Sequence, residues 1–162
     1  MTTHSRWPSR LWQPIFLVFA LSVSASAAAA PDAVPLPENG ATQWFVPAKP
    51  EAPLEIVTSG AAAHYFVKLV TAKGGKPVLS VFVRAGEKVD IKVPLGSYRI
   101  KYAAGNDWQG EKALFGEATQ YFEAEKRFDF VRKGGKTRGF MVELIWKPEG
   151  NLSAKPIGKT DW

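Results

Sequence analysis

The sequence predicts an all-β protein, an antiparallel β-sandwich or small barrel of about seven to eight short strands. Three observations point there. From Leu54 onward apolar and polar residues alternate with a period of two, the pattern of strands with a single covered face. Glycine-bearing turns interrupt the alternation at intervals of about ten residues. No segment after residue 30 carries a sustained helical period.

The chain opens on a different pattern. Arg6 and Arg10 precede the apolar run Ile15 to Val23, and the small residues Ser24 to Ala30 follow it. Charge, apolar core and small residues in that order are the parts of a secretory signal peptide, expected over residues 1–30. Cleavage is expected near Ala29 to Val34, with Pro31 disfavouring the bond directly before it. The alternative is an uncleaved anchor, since Leu11 to Ala30 reaches the ~20 residues a spanning helix needs. Gln13 and Pro14 interrupt its front and Ser and Ala dilute its second half, which favours cleavage. No cysteine follows for lipid attachment, and no later stretch is long and apolar enough to span a bilayer.

Residues 31–53 hold Pro31, Pro35, Pro37, Pro47, Pro50 and Pro53. Proline removes donors and fixes the backbone, so this is an extended leader or linker. Trp44-Phe45-Val46 within it is expected to dock on the domain as a short edge strand.

The domain proper is expected over residues 54–162. In the segment His64 to Val70, Tyr65, Val67 and Leu69 share a face, and Lys73-Gly74-Gly75-Lys76-Pro77 turns the chain. Leu79, Val81 and Val83 then alternate with Ser80, Phe82 and Arg84, and Ala85-Gly86-Glu87 turns again. Val89, Ile91 and Val93 alternate with lysines and an aspartate; beyond Pro94-Leu95-Gly96, Tyr98, Ile100 and Tyr102 alternate with Ser97, Arg99 and Lys101. Residues 117–127 are rich enough in Glu, Ala and Lys for one helical turn or two. Phe128 and Phe130 resume the alternation, Gly134-Gly135 turns, and Phe140, Val142, Leu144 and Trp146 continue it. A last short strand is expected around Leu152 to Ile157. The inward sets form one core of Tyr98, Ile100, Tyr102, Val89, Ile91, Phe128, Phe130, Val142 and Leu144.

Composition bounds the chemistry. The 162 residues carry 21 Lys and Arg against 15 Asp and Glu, a net charge of +6, of which Arg6 and Arg10 supply two. The cations alternate along strands and form no run, which reads as solvated faces and not as a nucleic-acid footprint. There is no cysteine. About 130 residues after the signal suffice for one domain without disulfides or metal, and the missing cysteine framework points to a bacterial exported protein, periplasmic or extracellular. Beyond the signal His64 stands alone, so a Cys-His pair and zinc sites of the cysteine and multi-histidine kinds are excluded. No phosphate-binding glycine loop and no calcium ladder occurs. Neither cofactor nor metal is expected.

Val93-Pro94-Leu95-Gly96-Ser97-Tyr98-Arg99-Ile100 resembles the strand-turn-strand of PEGA and carboxypeptidase-regulatory modules, small prealbumin-like sandwiches of exported bacterial proteins. A longer string is similar to a functionally unassigned bacterial β-domain spanning residues 64–162. It comprises Gly96-Ser97-Tyr98, Tyr102-Ala103-Ala104-Gly105, Trp108 with Gly110-Glu111-Lys112, Leu114-Phe115-Gly116 and Gly150-Asn151-Leu152. The resemblance implies a fold and a compartment, and no activity.

The one long connection runs from Gly105 to Gly116, and loops of that length are often functional. Trp108 and Phe115 are costly to leave in water unless they pack or meet a ligand. The loop is either a tucked-in structural flap, with Trp108 buried, or a binding surface, with Trp108 partly exposed. In the second case Trp108 and Phe115 with Asp107, Glu111 and Lys112 form the candidate ligand-binding set, since aromatic faces stack on sugars while carboxylates hold hydroxyls. No catalytic residue is assigned. Three functions fit: a non-enzymatic module binding an envelope protein or polymer; a small hydrolase of glycan or peptidoglycan using Asp107, Glu111 or Glu117 as paired carboxylates; or an inhibitor or immunity-type protein inserting this loop into an enzyme's cleft.

Overall fold

The computed structural model describes residues 34–60, 62–146 and 154–162. The predicted signal peptide, the first three leader residues and the turn at Lys147 to Asn151 lie outside the described residues.

Strands come from the segments where alternation is strongest. They are β1 (Thr42–Trp44), β2 (Ala52–Ser59), β3 (His64–Thr71), β4 (Pro77–Val83), β5 (Lys88–Val93), β6 (Gly96–Gly105), β7 (Gln120–Ala124), β8 (Phe128–Phe130), β9 (Arg132–Lys133), β10 (Lys136–Thr137), β11 (Phe140–Ile145) and β12 (Ala154–Pro156). The larger sheet runs β1-β4-β3-β6-β7-β12, with β8 also paired to β6, and the smaller runs β11-β2-β5. The short β9 and β10 ladder closes the Gly134-Gly135 turn. Neither main sheet closes into a barrel: the protein is all-β, with two open sheets sharing a core.

That core is the predicted one. Tyr98, Ile100, Tyr102, Val89, Phe128, Phe130 and Leu144 are buried in a single cluster, with Ile91 and Val142 packed against it. The larger sheet adds Tyr65, Val67, Leu69, Leu79, Val81 and Val83, and the smaller adds Leu54 and Ile56. At the start of β6, Gly96 has φ 151°, and a Cβ there would lie 2.7 Å from the Tyr98 hydroxyl. That hydroxyl donates to the Leu95 carbonyl at 3.1 Å, so the glycine lets the Pro-Leu-Gly turn fold onto the tyrosine ring.

Three features depart from the expectation. The first is strand direction: β11 runs parallel to β2, with Val142 opposite Ile56, while every other ladder is antiparallel. A period-two pattern is common to both directions, so alternation alone does not distinguish them. The second lies in residues 117–127, which form one 3₁₀ turn, Gly116–Ala118, and then strand β7 instead of further helix. Tyr121 and Phe122 favour strands, and β7 takes up the edge of β6 with Phe122 opposite Tyr102. Third, the larger sheet is covered on both faces. Phe66 and Phe82, which alternate with the inward residues of β3 and β4, are buried as well.

The leader docks two residues earlier than expected, through Thr42–Trp44 in place of Trp44-Phe45-Val46, and the Trp44 and Phe45 side chains stay exposed. Thr42, Gln43 and Trp44 pair with Val81, Ser80 and Leu79, and Val46 packs on the core. Arg84 ties down the stretch before it, its Nε donating to the Pro37 carbonyl at 2.8 Å and its backbone N–H to Asn39 Oδ1 at 3.0 Å. His64 sits beside this junction. Its Nδ1 accepts the Ala85 backbone N–H at 3.0 Å, and burial, with the Arg84 cation adding to it, holds the imidazole below its usual range. Histidine therefore serves as a neutral strand-end acceptor.

Replacing Ile100, which is 0% exposed, with alanine is expected to cost about 2–5 kcal/mol. Chemical denaturation measures it; a loss under about half a kcal/mol would mean the strand faces are reversed, because a one-residue slip exposes the whole set.

Candidate functional site

On the outer face of the larger sheet, pairing aligns residues from distant segments. Phe82, Phe66, Ala103 and Tyr121 lie in one cross-strand row, and Gln43, Ser80, Lys68, Lys101 and Glu123 in the next. The first row is apolar and has a small residue at Ala103. Over it folds the connection after β6.

The end of β6 determines how this flap folds. A Cβ on Gly105 would fall 2.4 Å from the Cβ of Phe115, so Phe115 rests directly on glycine backbone. Phe115 is 1% exposed and clusters with Leu114, Phe66, Phe82 and Ala103. Bringing it there winds the flap tightly. Leu114 adopts φ 53°, its N–H donates to the Gly110 carbonyl and its own carbonyl accepts the Gln109 N–H, both at 2.6 Å. The Phe115 N–H is satisfied by Thr119 Oγ1 at 3.0 Å, whose hydroxyl in turn donates to Gly116. A left-handed bulky residue costs of order 1–3 kcal/mol and persists where its surroundings over-determine it; buried Leu114 is such a case.

Trp108 is half-buried. Its ring lies 5.0 Å from that of Phe82, 5.5 Å from Phe115 and 5.7 Å from Phe66. The two aromatics of the flap thus divide the work, Phe115 sealing the packing and Trp108 standing at its margin. Beside Trp108 a cleft of about 120 Å³ opens, lined by Pro37, Ala41, Thr42, Gln43, Phe66, Ser80, Phe82 and Glu111. Asp107, Glu111 and Lys112 are exposed, and none forms a salt bridge or side-chain hydrogen bond among the described residues. Of the five predicted residues, the cleft brings together Trp108 and Glu111. Asp107 and Lys112 flank them in sequence on the exposed flap, and Phe115 is sealed beneath. Glu117 lines a separate depression of about 730 Å³ with Gln109, Tyr121 and Lys159.

Gln43, Ser80, Phe66 and Phe82 also line the cleft, and the loop-centred sequence reading did not include them. Their signal was present only as Phe66 and Phe82 occupying the polar register of their strands; that Gln43 stands opposite Ser80 emerges from the docking of β1.

The C-terminal turn Lys159–Asp161 extends the outer cover. Trp162 packs tilted against Tyr121 and Phe66, with ring centroids at 5.4 and 6.4 Å, and the Lys68 ammonium sits 4.2 Å over its ring. Lys101, opposite Lys68, donates to the Asp161 carbonyl. Burial, together with the Lys101 charge, lowers the Lys68 pKa. Buried Glu123 takes Arg99 at 2.8 Å. Among the described residues no cluster of three or more His, Cys, Asp or Glu is placed to hold a metal, and no helix is long and apolar enough to cross a membrane.

Phe115→Ala is expected to lose about 3–5 kcal/mol, the cost of a fully buried aromatic, and Trp108→Ala a smaller ~1–3 kcal/mol, since part of that ring already meets water. Denaturant midpoints of the two variants check the order; equal losses would contradict the division of roles. No family model, curated protein or solved structure matches this chain.

Proposed function

We propose that the protein is an exported, non-enzymatic β-sandwich module that holds a protein or polymer of the bacterial envelope at the cleft beside Trp108. The observation that carries it is an aromatic side chain left half-buried at the margin of the flap, next to a carboxylate with no partner among the described residues. Loops positioned by a rigid scaffold are where binding groups concentrate. Export rests on the order of charge, apolar core and small residues before Pro31.

The hydrolase reading has less support. Glycoside hydrolysis needs two carboxyl groups flanking one bond, whereas Glu111 and Glu117 line different depressions. The site also offers no histidine to serve as a base: His64 belongs to the β3 end and its Nδ1 is occupied.

Two measurements test the proposal. In cells making the full chain, the protein is expected in the periplasmic or extracellular fraction with its first residue between Ala29 and Val34; an intact N-terminus in the cytoplasm contradicts export. The purified protein is expected to sediment with isolated envelope fractions, and Trp108→Ala and the fold-neutral Glu111→Gln to weaken that binding. Unchanged sedimentation of both variants would place binding elsewhere.

A further inference from the structure

We infer that the occupant of the Trp108 cleft is a single uncharged sugar ring, presented by a glycan of the envelope. This rests on the binding reading above and specifies its ligand chemistry.

The aromatic surface of the floor is the half-buried Trp108 ring, with Phe66 and Phe82 lining the cleft as buried rings packed against it. Carbon-bound hydrogens on one face of a sugar ring make a flat apolar surface that suits such a floor, while the hydroxyls at its edge demand hydrogen-bond partners in the wall. The wall supplies them. Ser80 is 1% exposed and lines the cleft, yet its hydroxyl makes no hydrogen bond to a described residue. The fully sealed side-chain polar atoms without a partner are Arg99 Nε and Gln120 Oε1 among the described residues. Ser80 Oγ is not one of them, and Ser80 belongs to the lining of the cleft. Native proteins leave few buried polar groups unpaired, and a nearly buried hydroxyl in the lining of this cleft suits a ligand's hydroxyl.

Three further groups have no hydrogen-bond partner among the described residues: the Gln43 amide, the Glu111 carboxylate and the Trp108 indole N–H. The amide both donates and accepts, the carboxylate only accepts and the indole only donates, so the wall offers donors and acceptors of both kinds. That mixture matches a polyol, whose every hydroxyl does both.

Charge and size narrow the class. Among the described residues Glu111 is the one ionisable side chain lining the cleft, so a phosphate or uronate would meet a carboxylate with no cation in the lining. A neutral or N-acetylated sugar has no such penalty. At about 120 Å³ the cleft lies below the ~300 Å³ at which drug-sized sites begin. It takes part of one ring and leaves the rest of a chain outside. Fixed placement follows from the register of Gln43 opposite Ser80 and Phe66 opposite Phe82, and from Arg84 holding the leader at Pro37 and Asn39.

The test is a titration of the full-length, isotope-labelled protein with glucose, N-acetylglucosamine and glucuronate, following the Trp108 indole and Gln43 side-chain amide resonances. Glucose or N-acetylglucosamine is expected to move both signals in a saturable way, and glucuronate to bind more weakly. Gln43→Ala is expected to weaken the neutral sugar about tenfold, as loss of one or two hydrogen bonds does, and Glu111→Gln to narrow the gap to glucuronate. Both positions are exposed, so both variants are expected to fold. The inference is overturned if no sugar moves the Trp108 indole, if glucuronate binds as well as glucose, or if Gln43→Ala binds like the wild type. If no sugar binds while the protein still sediments with envelope fractions, the sugar assignment falls and the module reading stands; if both fail, both fall.

Discussion

Phe115 pressed onto the backbone of Gly105 is the contact on which the outer half of this molecule depends. The larger sheet carries Phe66 and Phe82 on the face away from the main core, and those rings would be exposed if nothing covered them. A side chain at position 105 would hold the flap off, because its Cβ would overlap the Phe115 Cβ. With glycine there, Phe115 descends to the sheet, Leu114 is drawn into its left-handed turn, and Trp108 is left standing against Phe82 at the edge of the packing. The cleft is the space that remains between that ring and the docked leader.

The sheet is therefore a wall between two apolar clusters, each covered differently. Inside, the three-stranded sheet supplies Leu54, Ile56, Val89, Val93 and Leu144. Outside, the cover is irregular chain: the flap at one end and the C-terminal turn with Trp162 at the other. The second cover sits over charges. Lys68 and Lys101 are directly opposite each other, an arrangement that is unfavourable across a sheet. It is relieved by the Trp162 ring over Lys68 and the Asp161 carbonyl at Lys101. Glu123 lies beside Lys101 at 4.0 Å but engages Arg99 more closely. The outer face thus changes along the strands from aromatic and neutral near Trp108 to cationic near Trp162.

What could be read from the sequence was the part governed by alternation. Tyr98, Ile100 and Tyr102 share a face because strand side chains have period two, and that sufficed to assemble the inner core and its turns. The same rule misled on the outer face: Phe82, grouped with Ser80 and Arg84, and Phe66, left out of the face of Tyr65 and Val67, made the sheet look one-faced, although two aromatics in a polar register signal a second cover. Strand direction was invisible at β11, since Phe140 to Ile145 alternates identically whether its neighbour runs with it or against it. At Glu117 to Arg127 the local helix formers competed with an unpaired edge of β6, and pairing prevailed. Of the site, Trp108 and Glu111 were legible as exposed-looking groups in one long loop. Gln43 and Ser80 were not, because their proximity is created only when the leader docks across 37 residues of chain.

If the flap is held by Phe115 as described, it belongs to the cooperative unit and does not behave as a surface loop. Native-state hydrogen exchange measures this directly, since loops open with free energies near zero while core elements exchange only near the global unfolding free energy. The Leu114 and Phe115 amides are expected to exchange with an opening free energy close to that of Val67 in the centre of β3, and to become loop-like in Phe115→Ala while Val67 remains protected. Rapid exchange at Leu114 and Phe115 in the wild type, with β3 protected, would contradict the account.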